Sequence, residues 1–198
     1  KTQLNGLSLK IDTKQPIYYS NISIDEIATP KANLFDVKWI NAQVLDKLYG
    51  RIEFTSAKGA EDLNIINTAF TINDSAQAIV EIQDAELFFN NKRWTIDEQN
   101  GNPTLVAAST SDFAFSNLNF ITETSSIIAD ASQKGSDAFA VDVKFSNVYM
   151  SDLLSFQKDR WEGIVNGFLN IRQSPSGFGG NSNLHLSDLA LNGVALGE

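Results

Sequence analysis

Cysteine is absent from this chain, histidine and methionine occur once each, and proline appears four times in 198 residues. Without a thiol there are no disulfides, no thiolate metal sites and no cysteine nucleophile, and the redox compartment is left open. One histidine cannot build the usual zinc sites, and no Asp/Asn loop has EF-hand spacing, so no metal or other cofactor is expected. Basic residues are also scarce: 15 Lys and Arg stand against 24 Asp and Glu, a net charge of −9. Nothing is available to neutralise a phosphate backbone, which argues against nucleic acid. No Lys/Arg cluster offers an electrostatic dock for anionic lipid headgroups. No apolar run approaches the roughly 20 residues that span a bilayer as a helix. No signal peptide opens the chain, which starts and stops in mid-alternation; the expectation is an internal segment of a larger protein.

What is present is hydrophobic alternation, and it repeats. The phrase apolar, any, apolar, any, polar, apolar, any, apolar occurs five times. It reads Ile22-Ser-Ile24-Asp-Glu26-Ile27-Ala-Thr29, with an imperfect close, and Val80-Glu-Ile82-Gln-Asp84-Ala85-Glu-Leu87. It returns as Phe113-Ala-Phe115-Ser-Asn117-Leu118-Asn-Phe120, Val143-Lys-Phe145-Ser-Asn147-Val148-Tyr-Met150 and Leu184-His-Leu186-Ser-Asp188-Leu189-Ala-Leu191. Alternation places one set of side chains on one face of a sheet, because Cβ direction flips at each residue. The two adjacent polar residues break the phase, and a one-residue bulge at the Asn or Asp restores it while bending the strand. Bulges at one level of successive strands would curl the sheet into a trough. The expected fold is therefore all-β: a curved, mostly antiparallel sheet with an apolar concave face and one or two short helices.

Strand signals cover Gly6–Asp12, Ile17–Ile27, Val37–Val44, Leu48–Phe54, Leu63–Ile72, Ala78–Phe89 and Arg93–Asp97. They continue over Phe113–Ile121, Ser126–Asp130, Ala138–Met150, Gly163–Arg172 and Asn183–Leu191. Asn90-Asn91-Lys92 reads as a hairpin turn, since Asn tolerates positive φ. Asn100-Gly-Asn-Pro103 and Ser174-Pro-Ser-Gly-Phe-Gly-Gly-Asn181 read as loops. Ser151 is placed to cap a short helix running to Lys158. A second helix is possible over Ala42–Leu48, where Val44, Leu45 and Leu48 fall at helical spacing. No Pro/Ser-rich linker or shift in composition marks a domain boundary, so residues 1–198 read as one unit.

Candidate chemistry is thin. His185 has Ser187 and Asp188 nearby in sequence, but a triad needs groups converging from separate elements, and a strand His between Leu184 and Leu186 points to the polar face. The acidic pairs Asp25-Glu26, Glu61-Asp62 and Asp97-Glu98 put neighbours on opposite faces of extended chain, so none forms a carboxylate pair by adjacency. Gly163-Ile-Val-Asn-Gly167 has the spacing of membrane-helix packing without the apolar 20-mer; in a strand the glycines mark a bend or a close backbone approach. Gly177-Phe-Gly-Gly180 lacks the Lys of a phosphate loop. The sequons at Asn21 and Asn73 carry no argument in an Asn-rich chain. No catalytic residue is expected, and the chain does not read as an enzyme.

The stretch Phe88-Phe-Asn-Asn-Lys-Arg-Trp-Thr-Ile96, followed by a polar loop and Asp112-Phe-Ala-Phe-Ser-Asn-Leu-Asn-Phe120, resembles a unit of TamB-like translocation and assembly module proteins in their Bacteroidota form, within the AsmA/TamB superfamily. Gly135-Ser-Asp137, Val141-Asp-Val-Lys-Phe-Ser-Asn147, Asp152-Leu-Leu, Gly163–Gly167 and Leu186-Ser-Asp-Leu-Ala-Leu-Asn-Gly193 follow in the order of that family's next segment. The likeness covers residues 78–198, and the first 75 share only its style. The resemblance implies a β-taco in the periplasm of the cell envelope, anchored in the inner membrane by a segment not in this sequence and meeting an Omp85-family outer-membrane barrel through other regions. It implies carriage of phospholipid between membranes, or help in outer-membrane protein assembly, without catalytic residues.

The expected groove residues are Val80 and Ile82; Phe113, Phe115, Leu118 and Phe120; Val143, Phe145 and Val148; and Leu184, Leu186, Leu189 and Leu191. Their expected partners are phospholipid acyl chains, and no nucleic acid. Two other readings stand beside this one. A structural or adhesive β-repeat of a secreted surface protein would use the same residues as a closed core. A carbohydrate-binding β-sandwich would stack sugars on Trp39, Trp94 and Trp161.

Overall fold

The computed structural model describes residues 2–13, 18–29, 33–97, 99, 101–136, 138–154 and 159–196. The strands are β1 (Gln3–Asn5), β2 (Ser8–Asp12), β3 (Tyr18–Ala28), β4 (Asn33–Val44), β5 (Lys47–Thr55), β6 (Asn64–Ile72), β7 (Ala78–Phe89) and β8 (Lys92–Ile96). They continue as β9 (Thr104–Ser109), β10 (Asp112–Ile121), β11 (Ser126–Lys134), β12 (Ala138–Tyr149), β13 (Trp161–Ser174), β14 (Gly177–Leu191) and β15 (Val194–Ala195). One turn of helix, α1 (Met150–Leu153), follows β12. The strands form one antiparallel sheet in which strands consecutive in sequence pair, except that β1 and β2 both pair with β3 and that β8 and β9 do not pair with each other. β8 and β9 share one rung: β7 and β10 pair with β8 at one end and with β9 at the other.

Hairpin turns set this meander. Asn90 and Asn91 both lie at positive φ (52° and 61°), the conformation of a type I′ turn, as their side chains lead one to expect. The second helix expected over Ala42–Leu48 is instead the β4–β5 hairpin. Its turn is Leu45-Asp46, Leu45 sits at φ 57° and is 87% exposed, and the other two apolar residues at helical spacing, Val44 and Leu48, belong to the two paired strands. The helix expected from Ser151 starts at Met150 with no side-chain cap; its continuation through Phe156 to Lys158 lies outside the described residues, as do Ile17, Glu98 and Asn100.

The bulges appear in four of the five phrases. Register shifts fall at Phe115/Leu118, at Phe145/Val148 and on β14 opposite Gly163, with Asn117, Asn147 and Asp188 at φ 64°, 53° and 54°. In β7 the extra residue is Gln83, beside Asp84. The first phrase differs: β3 runs from Tyr18 to Ala28 without a shift, and the irregularity sits across from Asp25 on β4, at Asp36 (φ 52°).

The bulges curl the sheet toward its apolar face. Trp94 on β8 and Val148 on β12 are three rungs apart, about 14 Å in a flat sheet at strand spacing. Yet they form one buried cluster with Leu87, onto which Phe54, Ile66, Phe89, Phe120, Ile127 and Phe145 pack. Only a sheet folded toward that face brings these residues together. A clasp holds the same end. Lys92 Nζ lies 3.1 Å from buried Asp152 Oδ2 and 3.4 Å above the Tyr149 ring, while Asn90 Nδ2 donates to Ser151 Oγ at 3.3 Å.

Candidate functional site: an apolar trough

Registered partners share a face, so the concave surface can be read across the strands. One row runs Ile96, Phe120, Ile127, Phe145, Gly167, Leu184. A second runs Val80, Leu105, Phe115, Ala131, Val141, Ile171, and a third Leu118, Ala129, Val143, Leu169. Ile82 sits one step along β7 from Val80 on the same side. Val148, Val165 and Leu186 align, as do Trp161 and Leu191, and the bulge at Asp188 returns Leu189 to this face. Every residue expected in the groove therefore lies on the concave side.

Charge is segregated with equal consistency. Lys38–Glu53, Arg51–Glu53, Arg93–Glu86 and Arg172–Asp142 all occupy convex positions. From β4 to β14 the described concave positions carry one charged side chain, Lys92, at the clasped end. On the convex side Arg172 grips Asp142 through both carboxylate oxygens, at 2.7 and 2.6 Å, and Asn170 donates to the same group. The guanidinium hydrogen bond holds the Asp142 carboxyl below its ordinary value, with burial opposing and Asn170 assisting.

The trough is not uniform along its length. Toward the clasp it is filled by its own side chains: Trp94 is 1% exposed, Val148 0% and Ile96 8%. Here Val148, with Phe120 and Phe145 packed on the cluster, forms closed core. Toward the other end it opens. A cavity of about 540 Å³ lies among Ile72, Ala78, Leu105, Ala107 and Phe113, on the row Ile72, Ala78, Ala107, Phe113. Alanines floor it, so the space exists because the side chains that could fill it are short. Ile72, at its lip, is 65% exposed. Of the residues expected in the groove, Phe113 lines this opening. Leu105 and Ala107 were not expected, because β9 reads Thr-Leu-Val-Ala-Ala-Ser, a run with no alternation behind a Pro-containing loop.

The N-terminal strands add a polar stripe to the floor. Ser20, Asn41, Gly50 and Thr68 are registered across β3 to β6, with Asn41 Nδ2 donating to Ser20 Oγ and Thr68 Oγ1 to the Gly50 carbonyl. The three tryptophans do not make one platform. Trp94 is enclosed, and Trp39 and Trp161 lie on strands near opposite edges of the sheet. His185 is exposed on the convex face, registered with Asn166. Among the described residues no cluster of His, Asp and Glu could hold a metal ion, and no helix is long and apolar enough to cross a membrane.

No family model, curated protein or solved structure matches this chain.

Proposed function

We propose that the open end of the trough binds a single acyl chain, and that the protein is a TamB-like envelope component that carries phospholipid across the periplasm or assists outer-membrane protein assembly. On this reading the inner-membrane anchor and the contacts with an Omp85-family barrel belong to other parts of the protein. The observation that carries the proposal is the 540 Å³ apolar cavity, whose lining holds no charged side chain, at the end of the concave face away from Lys92. That volume falls within the ~300–1,000 Å³ typical of small-molecule sites. Each methylene taken from water contributes about 0.8 kcal/mol, so several turns of hydrocarbon suffice for binding. The headgroup stays at the lip beside Ile72, in water, and the process is passive, with no residue assigned to chemistry.

The closed cluster around Trp94 favours a second reading, in which the sheet is a structural β-repeat and the cavity is incidental. Binding of a fluorescent fatty-acyl probe separates the two. The acyl reading expects saturable binding that Ala107→Trp, which fills the alanine floor, reduces at least tenfold while the circular dichroism spectrum is unchanged. Equal binding by both proteins, or none by either, favours the structural repeat.

A further inference from the structure

The apolar cavity opens between two turns of different chemistry. Asn73-Asp74-Ser75-Ala76-Gln77 joins β6 to β7, Thr110-Ser111 joins β9 to β10, and Ala76 and Thr110 both line the opening. β7 and β9 are paired neighbours, so the two turns stand two strand spacings apart, about 10 Å. Hydrogen bonds hold the first turn in shape. Asn73 Oδ1 accepts the N–H groups of Ser75 and Gln77, each at 3.0 Å, and Asn73 Nδ2 donates to Gln77 Oε1 at 3.0 Å. Asp74 is exposed in this turn, and its carboxylate makes no hydrogen bond or ion pair among the described residues. The second turn offers hydroxyls instead. Ser109 and Thr110 both line the cavity and are exposed, and the Thr110 hydroxyl has no partner among the described residues. No Lys or Arg lines the cavity or lies in either turn. Lys134, the basic residue on β11 at this level, is registered with Asp112 on the convex face, where the two line a separate cavity of about 290 Å³.

We propose that the lip of this cavity selects a zwitterionic lipid head, one that carries both an ammonium and a phosphate. The ammonium lies against the Asp74 carboxylate, and the phosphate oxygens accept hydrogen bonds from Thr110 and Ser109 across the opening. The inference rests on the acyl-chain reading above and names the class of lipid that the cavity prefers. A head of net negative charge finds the hydroxyls but no cation. It then faces Asp74 with nothing to offset the repulsion, in a chain of net charge −9. A free fatty acid is disfavoured for the same reason, and an uncharged glyceride gains neither contact. Because the lip is exposed, the preference is modest: an ion pair in water contributes little, so about a fivefold difference is expected, and salt reduces it.

Competition against a fluorescent acyl probe reads the preference directly. Lysophosphatidylethanolamine and lysophosphatidylglycerol with the same single chain are compared, each kept below its micelle-forming concentration. The ethanolamine lipid is expected to displace the probe at about fivefold lower concentration in low salt, and the gap is expected to narrow in about 0.5 M salt. Asp74→Asn is expected to narrow it as well. Asp46→Asn, the same change of charge in the neighbouring β4–β5 turn, is expected to leave it open; both residues are exposed, so neither change disturbs packing. Thr110→Val is expected to weaken both phospholipids relative to the uncharged monoacylglycerol of that chain length. Equal displacement by the two phospholipids, or the same narrowing in Asp46→Asn as in Asp74→Asn, overturns the inference and leaves the acyl-chain reading standing. A probe that does not bind, or that no lipid displaces, overturns both.

Discussion

At Asn147 the chain makes a turn that a strand does not ordinarily allow, and the neighbours are arranged to hold it there. Its backbone N–H donates to Asn166 Oδ1 at 2.7 Å, its carbonyl accepts from Ser125 Oγ at 2.7 Å, and its side-chain amide donates to the Thr124 carbonyl at 3.1 Å. Asn117 has the same device, its N–H donating to Asp130 Oδ1 at 3.0 Å. Asn tolerates left-handed φ and a β-branched residue does not, so Asn147→Val is expected to cost about 1–3 kcal/mol in urea unfolding and Asn147→Gly distinctly less. Equal losses would remove the conformational explanation. The polar pair in each phrase made these positions legible in advance; the acceptors that hold them, Asp130 and Asn166, lie on other strands and no local pattern names them. On the convex face Asp142 makes a pH prediction. Its carboxyl is held below the ordinary 3.8 by Arg172, so the stabilisation is complete above that value and is lost as pH falls through the lowered one. Thermal melts between about pH 5 and pH 2 are expected to fall more steeply for the wild type than for Arg172→Gln, in which the partner charge is gone. Parallel curves would show that the pair contributes nothing, the common outcome for exposed ion pairs.

Element by element, the chain declared most of its strands because one face of each is greasy and the other wet. The departures have particular causes. β9 was hidden because its Leu-Val-Ala-Ala run does not alternate, and it completes a rung that β8 leaves half filled. Gly177–Asn181 reads as loop by composition, yet only Pro175 and Ser176 turn, and the glycines extend β14. Nothing on β3 distinguishes a bulge at Asp25 from one on its neighbour, and the structure puts it at Asp36. The reading of Gly163 and Gly167 as sites of close approach holds. A Cβ on Gly167, at φ 114°, would lie 1.8 Å from the Asn183 carbonyl oxygen, which is backbone and cannot swing aside. Gly167→Ala is therefore expected to prise β13 from β14 and cost about 3 kcal/mol, read as a lowered urea midpoint. Gly59→Ala, where a Cβ meets nothing within 4 Å, is the comparison: its φ of 73° brings backbone strain without a clash, so a smaller loss is expected. An equal loss in both would point to strain alone.

For the molecule as a whole, alternation announced a one-sided sheet, and the bulges announced that it would bend. How far it bends was not legible, because that rests on contacts between residues distant in sequence, such as Lys92 with Asp152 and Trp94 with Val148. The result is a trough with core around Trp94 and an apolar cavity at its alanine-floored end, while a more polar cavity of about 720 Å³ lies beside the clasp, among Asn90, Ser151, Arg160 and Asp188. Trp94→Ala empties the closed end and is expected to cost about 3–5 kcal/mol, measured by chemical unfolding; a loss below about 1 kcal/mol would mean that the cluster does not hold the curl. The open end carries the central claim, and native mass spectrometry of the purified protein, followed by extraction and identification of lipid, tests it most directly. The account predicts a copurifying phospholipid that is lost in Ala107→Trp. A clean ligand-free mass for the wild type, unchanged after incubation with phospholipid, would contradict it.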